Sequence, residues 1–346
     1  MMALAEKLAA HHSLTEAEYQ QLLENPAAET ARFLAEKAVE VRKTVYGTDV
    51  YIRGLIEIGN ICKNDCLYCG IRRSNKKCQR YQLTAEEILD RCRSGYELGF
   101  RTFVLQGGEN PALHDDMLCQ LIRRIKAEFP DSAVTLSLGE RGYESYHQLR
   151  EAGADRYLLR HETAASAHYR QLHPAEMSFE NRMQCLQDLK ALGYQVGCGF
   201  MVGSRFQTAA HLAQDLKFIE EFKPQMCGIG PFIPHCDTPF GTYHAGSVDM
   251  TCYLLSIIRL IHPNILLPAT TALGTLDPDG REKGILSGAN VIMPNLSPSA
   301  VRKKYMLYND KLSDGDEAAE CLDSLRRRIE AIGYQIVTSR GDHKLN

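Results

Sequence analysis

The order of apolar and amphipathic segments predicts an α/β chain built as a (β/α)8 TIM barrel, with a helical extension before it and a helical segment after it. Eight short apolar runs lie at 51–60, 100–108, 133–139, 156–162, 194–203, 225–234, 266–273 and 289–295, and helix-periodic stretches separate them. Strand alternating with helix calls for parallel strands joined by helical crossovers, and eight such units suit closure into a barrel. An open, doubly wound sheet with the same order is the alternative. The 346 residues, 44% hydrophobic and 24% charged, suffice for one barrel with additions at both ends.

Residues 14–45 read as helix, with Ser13 and Glu16 as a capping box that satisfies two free N–H groups at its start. Helical patterns follow at 84–99, 115–129, 143–153, 178–193, 208–222 and 247–262, with a short segment near 281–287. The expected organisation is a helical extension over 1–48, a barrel over 49–300, and a C-terminal helical cover and tail over 301–346. The N-terminal helix and the C-terminal segment are both candidates to cover the barrel mouth.

Net charge excludes some partners. With 40 basic and 43 acidic residues the formal charge is -3, so no field recruits nucleic acid or an anionic membrane. The basic run 72–80 lacks interleaved aromatics and reads as a solvated loop. Glu6 and Lys7 interrupt the first apolar run, which makes a poor signal peptide, and no segment is apolar enough to span a bilayer. These features point to a cytoplasmic protein.

Twelve cysteines are many for such a chain. In a reducing compartment they are thiols or metal ligands rather than disulfides. Nine of them, at 78, 92, 119, 185, 198, 227, 236, 252 and 321, have no close partner and read as small buried hydrophobes. Cys62, Cys66 and Cys69 differ, since they fall within eight residues directly after the first apolar run. Structural zinc takes four ligands, and no second CxxC or CxxH follows at finger spacing. An iron–sulfur cube accepts thiolates at its corners, and three thiolates leave one iron open to a substrate or cofactor. His235-Cys236-Asp237 looks like a metal set on paper, but adjacent residues rarely converge on one ion, and it reads as a loop. The glycines of 197–203 lie in the fifth run without the acidic residue that a dinucleotide site needs, and read as a close-packed strand.

Several runs end in polar residues, as active-site barrels do at the C-terminal ends of their strands. These ends include Gln106-Gly107-Gly108-Glu109, Ser137, Arg160-His161-Glu162 and Thr270-Thr271. The spacing Cys-x3-Cys-x2-Cys, with Tyr68 before the last cysteine, resembles the signature of the radical S-adenosylmethionine (SAM) superfamily, and Gly107-Gly108-Glu109 resembles its GGE element. The stretch from 53 to 81, followed in order by "TFVLQGGE", "VTLSLGE", "GADRYLLRHET", "GIGPFIPHCDTPF", "LLPATTALGT" and the tyrosine pair Tyr305 and Tyr308, is similar to the HydE family of [FeFe]-hydrogenase maturases over roughly 14–335. Biotin synthase and methylornithine synthase are nearby families sharing the barrel and loop.

The resemblance implies one 4Fe-4S cluster on Cys62, Cys66 and Cys69, and SAM contacts from Tyr68, Gly107, Gly108, Glu109, Thr135, Ser137, Glu162, Arg182, Met201 and Tyr308. In it, Arg182 pairs with the methionine carboxylate of SAM. It places Arg160, Thr270, Thr271 and Tyr305 at the substrate, where the arginine and threonines form an anion-binding group. It further implies an external one-electron donor, a small organometallic or amino-acid-derived substrate such as an iron carbonyl–cyanide complex of cysteine, and transient contact with other hydrogenase maturases. A structural ion pair is the competing reading of Arg160 and Glu162. Family members with an accessory cluster carry a second cysteine trio near the C-terminus, whereas Cys321 stands alone here. A small-molecule radical SAM enzyme and a non-catalytic electron carrier remain as alternatives, although carriers hold their clusters with four cysteines.

Overall fold

A computed structural model of the chain describes residues 1–313, 315 and 318–344; residues 314, 316, 317, 345 and 346 of the expected C-terminal segment lie outside the described residues. All eight expected runs contribute staves of one closed barrel. The first is split at Arg53 into Asp49–Ile52 and Gly54–Gly59. From Gly54–Gly59 the parallel order runs through Thr102–Gly107, Ala133–Ser137, Arg156–Leu158, Gln195–Cys198 and Met226–Cys227. Bridges from Met226 to Leu266 and from Pro268 to Val291 carry the ladder through the seventh stave to the eighth. Closure comes where Tyr51 pairs with Val291 and Leu55 bridges Asn295. The open-sheet alternative is thereby excluded.

Side chains alternate across each stave. Ile56 and Ile58, Phe103 and Leu105, and Val134 and Leu136 are buried among the outer helices. Leu55 and Glu57, Val104 and Gln106, and Thr135 and Ser137 take the intervening positions and line the interior cavity. This alternation explains why polar residues recur in otherwise apolar runs.

The outer helices match the expected periodicity: Ala85–Glu97, Asp115–Glu128, Tyr143–Glu151, Phe179–Ala191, Ala209–Phe222 and Val248–Ile261. The seventh run departs from expectation, since a helix begins at Thr271 (Thr271–Leu276) where strand was expected up to 273. A helix at Ser166–Leu172 has no counterpart in the sequence reading.

The N-terminus needs more correction. Met2–His11 is a helix, and the single expected helix divides into Glu16–Glu24 and Ala28–Tyr46 at Asn25-Pro26. Proline disfavours helical geometry in the residue before it, and Asn25 leaves the helical region (φ −137, ψ 70). The capping box belongs to Thr15 and Glu18 rather than Ser13 and Glu16. Ser13 Oγ instead donates to Glu220 at 2.8 Å, where Tyr19 Oη also donates, fastening the extension to helix Ala209–Phe222. These helices lie along the barrel flank, and no residue before Arg53 lines the cavity, so the N-terminal extension does not cover the mouth.

The C-terminal segment visits both ends of the barrel. Tyr305, Leu307, Tyr308 and Lys311 reach the mouth. Helix Leu322–Ala331 then leads to strand Gln335–Val337, which pairs with Asp49–Ile52 at the opposite end. There the tail seals the floor: the buried Arg156 guanidinium donates to Arg340 O at 2.8 Å and to Asp342 at 2.6 Å.

At the mouth, Lys311 Nζ meets Glu57 Oε1 at 2.6 Å, and Asn295 Nδ2 donates to Glu57 Oε2 at 3.1 Å. Glu57 is fully buried and Lys311 nearly so, 6% exposed in its side chain. Removing one partner of a buried pair strands the other charge, whereas removing both is far less costly. Lys311→Met is expected to lower the unfolding free energy in urea by about 3 kcal/mol, and Glu57→Gln added to it to recover most of that loss.

Candidate active site at the barrel mouth

One cavity of about 350 Å³ opens at the C-terminal ends of the staves, and every expected site residue lines it, from Cys62 to Tyr308. Its size suits a small ligand. Charged groups converge there from inward stave positions (Arg53, Glu57, Arg160, Glu162), from a helix (Arg182) and from the C-terminal segment (Lys311).

The cysteine loop leaves the first stave immediately after a register shift between Glu57 and Gly59, which redirects the chain. Buried Asn60 starts it, donating to Gln79 O at 2.9 Å and Lys304 O at 2.7 Å. Arg80 ties the loop's far end to the Asn60 and Ile71 carbonyls at 2.6 and 2.7 Å. Asp65 accepts from Arg72 Nε and from the backbone N–H and hydroxyl of Ser74. The basic run is therefore only partly a solvated loop: Arg73, Lys76 and Lys77 are exposed, while Arg72 and Arg80 brace the cysteine backbone.

The three sulfurs suit a metal cluster by their environment. Burial raises all three thiols; for Cys66 the neighbouring Cys69 and Cys62 add to it, and Cys69 is pushed up to about 12. Thiolate charges so placed repel each other and need cations to neutralise them. At Gly108 a Cβ would stand 2.4 Å from Ile61 O and 2.8 Å from Cys62 Cβ. The missing side chain here makes room for the cysteine loop itself, a tighter reason for glycine than ligand approach alone.

Glu109 links the loop to the next staves. Its backbone carbonyl accepts from Lys63 N at 2.9 Å, and its carboxylate accepts from Glu140 N at 3.0 Å. Glu162 has a left-handed backbone, φ 66, unusual for a side-chain-bearing residue and characteristic of functional positions. Its N–H is held by Gly199 O at 3.0 Å, and its carboxylate meets Arg160 Nη2 at 3.3 Å. Arg160 and Glu162 thus form the ion pair of the competing reading and also face the cavity. Arg182 Nε donates to Glu140 at 2.6 Å and Nη1 to Arg160 O at 2.9 Å, while Nη2 lies 3.8 Å from Glu109. All three guanidinium nitrogens of Arg182 thus already face protein oxygens, and an approaching carboxylate has only the second N–H of each Nη to use.

Three charged cavity residues escaped the sequence reading. Arg53 and Glu57 were signalled by single charges inside an apolar strand. Lys311 gave no local signal, because only the return of the C-terminal segment brings it there. Two expectations outside the cavity also change. Cys236 is exposed, and Cys78, Cys252 and Cys321 are half-buried, leaving five of the nine unpaired cysteines as buried hydrophobes. The donor atoms of His235, Cys236 and Asp237 do converge, within 4.8 Å of one another. Two are already engaged, as Lys77 Nζ lies 2.6 Å from Asp237 and the Asp237 N–H donates to His235 Nδ1 at 3.1 Å. Among the described residues no helix is long and apolar enough to cross a membrane.

Comparison with known proteins agrees with this geometry. Residues 56–219 match the model of the radical SAM superfamily. The [FeFe] hydrogenase maturase subunit HydE of Thermotoga maritima is 46% identical over 300 residues, covering 87% of this chain and 85% of that protein. The 3-methylornithine synthase of Methanosarcina barkeri is 27% identical over 335 residues, covering 96% and 93%. Among solved structures, methylornithine synthase superposes with TM-score 0.81 at 26% identity, covering 96% of this chain and 97% of that one. The maturase HydG superposes with TM-score 0.79 at 21% identity, covering 97% and 75%, and shows the shared fold. A three-cysteine loop at the mouth of a parallel barrel, together with the extent of this identity, assigns the chain to the HydE family of radical SAM enzymes.

Proposed function

We propose that this enzyme works in the cytoplasm on an anionic iron complex of an amino acid, such as an iron carbonyl–cyanide species carrying cysteine, during assembly of the [FeFe]-hydrogenase active site. In this reading Cys62, Cys66 and Cys69 hold the cluster. Glu109, Glu162 and Arg182, with Tyr68, Thr135, Ser137, Met201 and Tyr308 around them, receive SAM. When bound, the reduced cluster and SAM supply a 5'-deoxyadenosyl radical. The chain's own residues must then exclude water and fix the substrate, because such a radical reacts with almost any C–H or S–H bond within reach.

The observation that carries the substrate reading is a set of unsatisfied polar atoms on residues lining the cavity. Arg53 Nε, Thr135 Oγ1, Arg160 Nε and Thr270 Oγ1 are buried without a hydrogen-bond partner. Each such atom costs about 1–3 kcal/mol unless a ligand satisfies it. Two guanidinium groups and two hydroxyls favour an anion with several acceptor atoms. Tyr305 and Thr271 complete the walls. Contact with other maturases and with an external one-electron donor accompanies this reading. The 0.81 TM-score to methylornithine synthase supports a second one, an amino-acid mutase; restored hydrogenase activity in a host lacking its own HydE would exclude it.

Arg160→Met and Thr270→Val should each lower hydrogenase activation by about tenfold, one unsatisfied buried partner's worth. Iron content should stay near wild type in both, and SAM cleavage without substrate should stay near wild type in Thr270→Val, whose residue makes no contact with Glu162 or Arg182 among the bonds described. Unchanged activation in both variants would remove the anion site from this place. Cys66→Ala should lose the roughly four irons per chain that one cube supplies.

The thiol shifts predict a pH dependence. Cluster-free protein should bind ferrous iron with release of thiol protons, so its affinity should fall as pH is lowered. In the same protein the exposed Cys236 should be alkylated readily, while Cys69, raised to about 12, resists until strongly alkaline conditions. Mass spectrometry of iodoacetamide adducts against pH reads both sites.

A further inference from the structure

The cysteine loop is gripped from one side by the short segment after helix Ser166–Leu172. Leu67 N–H donates to Leu172 O at 3.0 Å, and Cys66 Sγ lies 3.7 Å from Met177 Sδ. Between these contacts the Tyr68 hydroxyl lies 3.1 Å from His173 Nε2. Direction follows from the other ring nitrogen. His173 Nδ1 is 2.9 Å from Tyr169 O, and a carbonyl oxygen only accepts, so Nδ1 carries the proton. Nε2 is then the acceptor, and the Tyr68 hydroxyl donates to it. The ring is locked in this state. It is 4% exposed and stacks on Tyr169 with centroids 3.9 Å apart. Burial, with the Arg182 charge adding to it, pushes the His173 pKa down to about 3, so the imidazole is neutral at physiological pH.

We propose that His173 is a positioning residue: by accepting from the Tyr68 hydroxyl it holds the aromatic ring of the cysteine loop in the orientation that binds SAM. The inference rests on the reading of Tyr68 as a SAM contact. Tyr68 is bracketed by two cluster cysteines and lines the cavity, so its ring orientation shapes the wall beside them. Without an acceptor, its buried hydroxyl either stays unsatisfied or turns the ring away, and SAM binding must then reverse that change. His173 itself is absent from the cavity wall, so an effect on SAM has to pass through Tyr68.

The test uses anaerobically reconstituted full-length protein and reads iron per chain, the SAM dissociation constant, and the change in the reduced cluster's EPR spectrum on adding SAM. His173→Leu should keep about four irons and weaken SAM binding about threefold to tenfold. Tyr68→Phe removes the same hydrogen bond from the other side and should weaken it equally. The double variant should be no weaker than either single one, since the two act through one interaction. His173→Gln, which keeps an acceptor, should recover most of the affinity. Additive losses, or wild-type SAM affinity in Tyr68→Phe, would overturn the proposal, and the latter result stands even if His173→Leu fails to fold. Tyr68→Ala separates the two readings. Wild-type affinity there would defeat the assignment of Tyr68 to SAM, whereas weakened binding there beside normal binding in His173→Leu defeats the positioning role alone.

Discussion

Three half-buried thiols in one eight-residue loop are the constraint around which the rest of the molecule is arranged. Burial pushes all of them toward the protonated state, and for Cys66 and Cys69 neighbouring thiols add to it, so the loop is poised to release protons on taking up iron. A loop without regular secondary structure cannot hold three side chains together by its own backbone ladder. Here side chains and neighbouring segments supply the bonds: Arg80 and Asn60 at its base, Asp65 with Arg72 at its tip, Glu109 O from the next stave, and Leu172 O from a short helix. Gly108 completes the arrangement by withholding a side chain where Cys62 must pass.

The barrel supplies the second requirement, an enclosed space whose chemistry differs from its walls. Outward stave positions are apolar and pack under the helices, so the inward positions are free to carry charge. That freedom is used heavily, with Arg53, Glu57, Arg160 and Glu162 all inside one cavity. Buried charges are stabilising only when paired, and the pairs are made across the fold: Glu57 with Lys311 from the C-terminal segment, Glu162 with Arg160 two residues earlier, Arg182 with Glu140. Some buried atoms are left unsatisfied on the cavity wall, among them Arg160 Nε and Thr270 Oγ1. Stability is lent to function at those places, as the left-handed backbone of Glu162 also indicates.

The two chain ends divide their work unequally. Both could have been lids over a reactive cavity. The N-terminal helices instead stiffen the barrel flank through Ser13 and Tyr19 bonded to Glu220. The C-terminal segment supplies Tyr305 and Lys311 at the mouth, then crosses to the floor, where Asp342 compensates the buried Arg156. Its excursion brings residues 254 and 186 positions apart into ion pairs, Glu57 with Lys311 and Arg156 with Asp342.

The sequence by itself determined the barrel order, the cysteine loop and part of the cavity wall. Periodicity, loop spacing and strand-end polarity are local signals, and each survives whatever the distant parts of the chain do. The family resemblance added roles that spacing alone does not carry, above all for Arg182 and Tyr308. Tertiary structure decided what depends on contacts between distant segments. That Thr15 rather than Ser13 caps its helix followed from Glu220 claiming the serine hydroxyl. That Lys311 enters the cavity and that His173 accepts from Tyr68 each required two segments far apart in sequence to meet. A hydrogen bond's partner is set by position within about 3 Å, and no pattern of neighbours along the chain encodes a distance across it.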